Sequence, residues 1–193
     1  MSEPLTDTLL VQRAGRGDAI AFSELVTRHY RHALRVAYGL LKDANQAEQV
    51  TQEAFARLHR TLSECSDFAA FRIALYRLLT RRANRQFAPR LDRSWISEDV
   101  LWPRYTQVKP HTQHQRRALG QQLEAAFNEL GWGQQVALLL RDLEGLSYAE
   151  IADIVRQPKE AIADALQAAR GIIEKHLVSD ATTSTKMAPP GGG

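Results

Sequence analysis

Apolar residues recur at intervals of three and four positions over most of this 193-residue chain. This spacing places apolar side chains on one face of a helix, so it predicts amphipathic helices that need neighbouring helices to cover them. No segment shows the alternation of apolar and polar residues that is typical of a strand. The sequence therefore predicts an all-α protein built from packed helices.

The first 87 residues contain three predicted helices with identifiable starting residues. Asp18, Asn45 and Asp67 each precede a helical segment, and their side chains can accept hydrogen bonds from free backbone N–H groups at a helix start. The apolar residues expected to face the core are Phe22, Leu25, Val26, Leu34, Tyr38, Leu41, Val50, Ala54, Phe55, Leu58, Phe68, Phe71, Leu75, Leu78 and Leu79.

Residues 88–117 interrupt this pattern. Three prolines break any helix there, and the apolar residues follow no period. A segment of this length without periodicity is unusual inside a compact domain. We interpret it as a flexible linker between two small helical domains, residues 1–87 and residues 118–177.

Helices are predicted again after the linker. Gly131 and Gly133 are expected to end the first of them, and Gly145 holds the position where glycine is favoured after a helix. Residues 178–193 are small, polar and rich in Pro and Gly. We expect this tail to be disordered.

Residues 147–170 follow the order of a helix-turn-helix. Ser147 and Glu150 form the Ser-x-x-Glu pattern of a capping box, which opens a short helix. Pro158 is a favourable first residue for a second helix, expected to run to about His176. Such a unit can place its second helix in the DNA major groove, or it can be an ordinary helical hairpin. The spacing alone leaves both interpretations open.

Positive charge is concentrated in the middle of the chain. Residues 72–117 carry 11 Lys and Arg against 3 Asp and Glu, a net charge of +8, whereas residues 1–71 carry −1 and residues 118–193 carry −4. This asymmetry favours a polyanion partner, most often nucleic acid. A solvated basic linker is the alternative.

The sequence lacks the arrangements that are typical of catalysis or metal binding. The histidine pair His29 and His32 has no further ligand at metal-binding spacing, and no phosphate-binding glycine loop or nucleophile elbow occurs. Cys65 is the single cysteine, which fits a reducing cytoplasm. We therefore expect a cytoplasmic protein that is not an enzyme, with no cofactor, metal, membrane or small-molecule substrate.

Four segments resemble one known family. "LVQRAGRGDAIAFSELVTRHY", "QAEQVTQEAFARLHR" and "FRIALYRLL" resemble the polymerase-binding and minus-ten-reading domain of bacterial sigma factors. "LLRDLEGLSYAEIADIVRQPKEAIADALQAARGIIEKHL" resembles their C-terminal promoter-reading domain. The similarity is to the small extracytoplasmic-function (ECF) type. It covers roughly residues 7–87 and 118–177, and it implies core RNA polymerase, promoter DNA and an anti-sigma factor as partners.

The resemblance also implies roles for particular residues. Polymerase binding is implied for Glu48, Gln49, Gln52 and Glu53. Minus-ten DNA binding is implied for Arg72, Tyr76, Arg77, Arg81, Arg82 and Arg85. DNA binding by the helix-turn-helix is implied for Ser147, Tyr148, Lys159, Ala163 and Arg170.

The N-terminal segments depart from the family pattern at several positions. Gln46 and Gln49 stand where acidic residues are usual in the polymerase-binding helix. Ala74 and Arg81 stand where the family has Trp and Asn. Pairing with basic residues of the polymerase should therefore be weaker, while the added arginine favours contact with the DNA backbone.

The helix-turn-helix departs further. Arg156 stands at the usual turn glycine, and on the second helix Lys159 and Arg170 are offset by Glu160 and Asp164. Because phosphate neutralisation supplies most DNA affinity, such a helix contributes little of it. Two hypotheses follow. The chain is an ECF sigma factor with a weak minus thirty-five contact, or it is an adaptor or decoy that binds polymerase or an anti-sigma factor without reading that element.

Overall fold

The computed structural model describes residues 5–86 and 113–184, and these residues form helices joined by short connections. The helices of the N-terminal half are α1 (Asp7–Gly15), α2 (Ala19–Leu41), α3 (Ala44–Thr61) and α4 (Phe68–Gln86), with a 3-10 turn at Leu62–Glu64 before α4. The helices of the C-terminal half are α5 (Gln113–Glu129), α6 (Trp132–Asp142), α7 (Tyr148–Val155) and α8 (Lys159–Ser184). The all-α prediction is confirmed.

Aspartates cap the helices of the N-terminal half. The Asp18 carboxylate accepts two backbone N–H groups of α2 at 3.0 Å each, and Asp67 accepts one of α4 at 2.8 Å, as predicted. The prediction for α3 was wrong, because its cap is Asp43 and Asn45 lies inside the helix. The reason is that α2 ends at Lys42 in a left-handed conformation, which leaves Asp43 extended at the start of α3.

Two predicted boundaries of the C-terminal half were wrong. Helix α5 already begins at Gln113, five residues before the predicted start near residue 118. Helix α5 ends at Glu129, before Gly131 as predicted, and Gly131 also caps the start of α6, but Gly133 lies inside the first turn of α6 instead of ending a helix. A glycine inside a helix costs only about 1 kcal/mol, and α6 buries six residues directly after it, from Gln135 to Leu140.

The last helix is longer than predicted. Pro158 precedes α8, which starts at Lys159 and continues to Ser184 rather than ending near His176. Neither Pro nor Gly occurs between Gly171 and Pro189, so no residue breaks the helix in this interval. The tail was expected to be disordered from residue 178, and its part from 185 onward lies outside the described residues.

The two halves share one continuous hydrophobic core. Helix α2 contacts α6, and α4 contacts α7. At Gly39 of α2, a Cβ atom would lie 2.9 Å from both δ carbons of Leu139 on α6. A side chain at position 39 would therefore require the Leu139 side chain to shift, so the two helices pack closely at this point.

None of the described helices is both long and apolar enough to cross a membrane.

Candidate functional site

A polar strip runs along the outer face of α3. Glu48, Gln49 and Gln52 are exposed and Glu53 is partly buried. The Gln49 amide donates to the Glu53 carboxylate at 3.2 Å, and the Gln52 amide donates to the Glu48 carboxylate at 3.3 Å. These pairs join residues one helical turn apart. The structure thus brings the four residues of the predicted polymerase-binding site onto one accessible surface, which we call the α3 strip.

Three residues of the predicted minus-ten site contact the C-terminal half. The Arg72 guanidinium donates to the backbone carbonyl of Glu144 at 2.7 Å, and that of Arg77 donates to the carbonyl of Asp153 at 2.9 Å. Tyr76 is 2% exposed. Burial and the neighbouring Glu144 carboxylate raise the pKa of its hydroxyl well above the ordinary value. In this arrangement Tyr76 is covered by protein, and so is much of Arg72 and Arg77.

The other arginines of α4 line a cavity of about 90 Å³ between α3 and α4. Its lining residues are Arg57, Leu78, Arg81, Arg82 and Arg85, and we call it the arginine cleft. The Arg82 Nε atom lies 2.7 Å from a carboxylate oxygen of Glu53. The cleft therefore borders the α3 strip, and one ion pair joins the two surfaces.

Arg57 was missed by the sequence reasoning. It lies on α3, exposed, and contributes to the arginine cleft from the side opposite α4. The sequence does indicate that Arg57 lies on the same helix face as Glu53, because residues four positions apart share a face. What that spacing cannot show is that α4 brings further arginines to the same place.

The arginine cleft carries positive charge with little compensation. Within the described residues, no ion pair is formed by Arg57, Arg81 or Arg85, and Glu53 pairs only with Arg82. Like charges held together repel one another and create a positive potential. Guanidinium groups in this arrangement are suited to phosphate, to which they can donate parallel hydrogen bonds.

The first helix of the helix-turn-helix begins at the predicted capping box. The Ser147 hydroxyl accepts the backbone N–H of Glu150 at 3.2 Å, and the Glu150 carboxylate accepts the backbone N–H of Ser147 at 2.7 Å. The Tyr148 ring lies against the Arg141 guanidinium at 5.4 Å. Ser147 and Tyr148, which are both predicted to bind DNA, therefore also make contacts that stabilise the start of this helix. Arg156 ends the helix with φ 58°, a conformation that favours glycine.

The second helix of the unit, α8, presents charges of both signs at its exposed start, without an excess of positive charge. Lys159, Glu160 and Asp164 are exposed, whereas Ala163 and Arg170 are partly buried. The exposed lysine is therefore accompanied by two exposed carboxylates. The structure places the predicted DNA-binding residues Lys159 and Ala163 near the start of α8. Helix α7 contains no Lys or Arg, and Arg156 follows it directly.

No group of three or more His, Cys, Asp or Glu that could hold a metal ion occurs in residues 5–86 or 113–184. The His29 ring instead bonds to the Asp7 carboxylate at 3.0 Å and packs on Phe68, with ring centroids 4.8 Å apart. Burial raises the pKa of the Cys65 thiol, which leaves it a weak nucleophile.

Two family models match the chain, and together they cover more than half of it. The one described as Sigma-70 region 2 matches residues 25–91, and the one described as Sigma-70, region 4 matches residues 120–171. The first match contains the α3 strip and the arginine cleft. The second contains the helix-turn-helix.

Curated relatives match nearly the whole chain. An RNA polymerase sigma-H factor of Pseudomonas aeruginosa is 31% identical over 180 residues, which cover 89% of this chain and 93% of the relative. The ECF RNA polymerase sigma-E factors of Haemophilus influenzae and Escherichia coli are each 30% identical, covering 92% of this chain and 98% and 97% of the relatives. The matches therefore span both halves in one alignment.

One solved structure shares the arrangement of the helices. The structure of CnrH in complex with the cytosolic domain of CnrY contains a chain with a TM-score of 0.65 to this chain, and the match covers 90% of this chain and 98% of the matched one. The sequence identity is 19%, so this likeness supports the fold alone.

Proposed function

The chain belongs to the ECF group of bacterial sigma-70 factors, which bind core RNA polymerase and promoter DNA to direct transcription initiation, and from this membership we propose how its surfaces divide that work. Residues 1–87 are proposed to bind polymerase and the minus-ten element. The C-terminal half is proposed to bind the minus thirty-five element. None of the comparisons favours the adaptor or decoy hypothesis.

We assign polymerase binding to the α3 strip. Its side chains are accessible, and Glu48 and Glu53 supply the carboxylates that attract basic residues of a partner. Gln49 contributes an amide instead of a charge, which lowers the electrostatic attraction. This arrangement supports a polymerase contact that relies on hydrogen bonds more than on ion pairs.

We assign contact with the promoter backbone to the arginine cleft. The carrying observation is that Arg57, Arg81, Arg82 and Arg85 line one cavity beside the α3 strip. A phosphate group in the cleft would neutralise this charge and release condensed counterions from the DNA. Phosphate contacts fix the position of a protein on DNA without reading its sequence. The cleft is thus proposed to position the minus-ten DNA next to the bound polymerase.

The contact of α8 with the minus thirty-five element is proposed to be weak. Lys159 offers one exposed ammonium group at the start of the helix, and Glu160 and Asp164 repel phosphate beside it. Ala163 can contact at most a thymine methyl group. DNA affinity should therefore come mainly from α4.

Further properties follow from membership of this group. Sigma factors are non-enzymatic initiation factors, so we propose that the chain has no catalytic activity of its own. We place it in the cytoplasm, where it meets RNA polymerase. An anti-sigma factor is proposed as an additional protein partner.

Reconstituted transcription with core polymerase of the host tests the assignment of the arginine cleft. The variant Arg57→Ala/Arg81→Ala/Arg85→Ala should bind polymerase as the parent does but should lose most transcription from genomic promoter fragments. Arg60→Ala, which removes an exposed arginine of α3 that does not line the cleft, is the matched control. Full transcription by the triple variant would refute the assignment.

A further inference from the structure

The arginine cleft has room for a small ligand. Its volume is about 90 Å³, whereas one water molecule needs only about 10–15 Å³ of such space. Several water molecules therefore fit in the cleft, and a phosphate group that displaces them fits as well. Leu78 is the single apolar residue among the described residues that line the cleft, and the rest of this lining is arginine.

The cleft carries more positive than negative charge. Arg57 reaches it from α3, and Arg81, Arg82 and Arg85 reach it from α4. Within the described part of the chain, Glu53 is the only carboxylate that pairs with any of these arginines. Four guanidinium groups against one carboxylate give a formal net charge of +3. An anion that brings several charges into the cleft therefore complements it best.

The helices that carry these guanidinium groups are fixed by the core. Leu58 on α3 and Leu79 on α4 are each 0% exposed, and they lie beside the cleft arginines in sequence. Arg82 is held further by Glu53, because its Nε atom lies 2.7 Å from one carboxylate oxygen and a terminal nitrogen lies 3.1 Å from the other. The folded chain thus already holds like charges close together, and a bound anion relieves their repulsion.

Oligophosphates match this charge better than a strand of DNA does. A DNA strand carries one negative charge at each phosphate, and sugars separate its phosphates. A terminal phosphate carries about 1.5 to 2 negative charges at neutral pH and has three acceptor oxygens. In an oligophosphate the next phosphate follows through a single oxygen atom, so several charges can enter one cavity. Each phosphate can accept parallel hydrogen bonds from a guanidinium group.

The lining of the cleft favours phosphate over nucleobase. Proteins usually hold an unpaired base by stacking it on aromatic side chains. No aromatic residue occurs among the described residues that line the cleft. Recognition should therefore depend on the phosphate chain and little on the group attached to it.

We propose that the arginine cleft also binds the phosphate chain of a free oligophosphate, whether inorganic or carried by a nucleoside. The ligand and the DNA backbone then compete for the same guanidinium groups. By mass action the apparent DNA affinity falls as the ligand concentration exceeds its Kd, so promoter binding responds to the supply of oligophosphate. The proposal rests on the assignment of the cleft to promoter DNA.

Calorimetric titration of the full chain at constant ionic strength tests the site. The parent should bind tripolyphosphate at least about tenfold more tightly than sulfate, because a phosphate chain reaches several guanidinium groups. The variant Arg57→Ala/Arg81→Ala/Arg85→Ala should lose at least about tenfold in tripolyphosphate affinity.

A charge-matched variant is the control for this loss. Arg31→Ala/Arg35→Ala/Arg60→Ala also removes three exposed arginines, none of which lines the cleft. Because the two triple variants have the same net charge, a difference between them reports the cleft. The control should bind tripolyphosphate as the parent does.

A lysine variant separates the guanidinium geometry from the charge. Arg57→Lys/Arg81→Lys/Arg85→Lys keeps the net charge but loses the planar groups that donate two parallel hydrogen bonds to one phosphate. It should bind tripolyphosphate more weakly than the parent, with helix content preserved in circular dichroism, and it keeps the test valid if the alanine variant does not fold. Parent-like affinity would show that net charge alone binds the ligand and would overturn the inference.

Competition and a choice of ligands complete the experiment. Tripolyphosphate should displace labelled DNA from the parent in fluorescence anisotropy. Tighter binding of ATP than of tripolyphosphate would identify a nucleotide as the ligand, and the reverse order would identify an inorganic chain. AMP, which carries one phosphate, should bind at least about tenfold more weakly than either. Equal affinity for AMP and ATP would overturn recognition of a phosphate chain.

The remaining outcomes separate this inference from the proposed function. Equal affinity for tripolyphosphate and sulfate, or equal losses in the two triple alanine variants, would overturn the oligophosphate site and leave the assignment of the cleft to DNA standing. Full DNA affinity in a cleft variant that no longer binds tripolyphosphate would overturn the assignment to DNA and the competition with it. Labelled DNA that stays on the parent at saturating tripolyphosphate would overturn the competition as well.

Discussion

Glu53 and Arg82 form an ion pair between α3 and α4, with a carboxylate oxygen 2.7 Å from the Arg82 Nε atom. The pair joins a residue assigned to polymerase with one assigned to DNA. Each side chain is about one-third exposed, at 31% and 29%, so the pair should contribute less than about 1 kcal/mol to stability. Its main effect is on the charge of the arginine cleft.

Glu53→Gln should therefore change the affinities for DNA and for polymerase in opposite directions. Removal of the carboxylate leaves Arg82 uncompensated, so nonspecific DNA affinity should rise, while polymerase binding should weaken because the α3 strip loses a charge. Fluorescence anisotropy with labelled DNA and with polymerase measures both changes. Glu48→Gln is the control, since Glu48 contacts only Gln52 among its described hydrogen bonds, and it should weaken polymerase binding without changing DNA affinity. A lower DNA affinity for Glu53→Gln would contradict this expectation.

Arg57 should behave as a phosphate-binding residue although it lies on the polymerase-binding helix. Arg57→Ala should weaken binding to all DNA sequences by a similar factor and reduce the slope of log affinity against log salt by about 1, because one phosphate contact is lost. Titration at several salt concentrations measures the slope. Arg60→Ala, one turn further along α3 and outside the cleft, should leave it unchanged. The same slope for Arg57→Ala as for the parent would remove Arg57 from the site.

Local patterns predicted most of the fold. The apolar positions of α3, including Val50, Phe55 and Leu58, are all buried as expected, because a helical period depends only on near neighbours in sequence. The glycines predicted the ends of helices less well. Gly133 lies inside α6 because the burial of the residues that follow outweighs a local preference that is worth only about 1 kcal/mol.

The candidate site was predicted in part. The helical period and the family resemblance placed the arginines on α4, but they could not show which face of α4 the C-terminal half covers. Arg72 bonds to a residue 72 positions away and Arg77 to one 76 positions away. Such contacts depend on how helices distant in sequence pack, and no local pattern contains that information.

The outer face of α8 should gain DNA affinity when its carboxylates are neutralised. Glu160→Gln with Asp164→Asn leaves Lys159 without nearby negative charge, so phosphate attraction should increase and become more dependent on salt. Anisotropy with duplex DNA at low and moderate salt measures the change. Glu174→Gln, which removes an exposed carboxylate further along α8, should have a smaller effect. Equal effects of the two changes would show that only net charge matters and that the start of α8 does not meet DNA.

Lys42 should make the stability of the chain depend on alkaline pH. Burial lowers its pKa from 10.5 to about 8, with the Glu124 carboxylate opposing the shift. The unfolded chain therefore binds more protons between these values, and the free energy of unfolding should rise with pH across that window by at most about 1.4 kcal/mol per pH unit. Urea unfolding at a series of pH values measures it. Lys42→Met should flatten this rise, whereas Lys175→Met, at an exposed position, should keep it. An equal rise in Lys42→Met would assign the effect to another group.

Arg156 should be replaceable by glycine with a gain in stability. It ends α7 with φ 58° and ψ 50°, a left-handed conformation that costs a residue with a Cβ roughly 1–2 kcal/mol. Arg156→Gly removes that cost, and the greater freedom of glycine in the unfolded chain offsets part of it. The free energy of unfolding should therefore rise by about 0.5–1 kcal/mol. Arg156→Ala is the control, because it removes the same charged side chain but keeps a Cβ in the left-handed conformation, so it should give no such gain. Equal stability of the glycine and alanine variants would contradict this expectation. It would mean that contacts of the Arg156 side chain, and not its left-handed backbone, determine the effect of this residue on the free energy of unfolding.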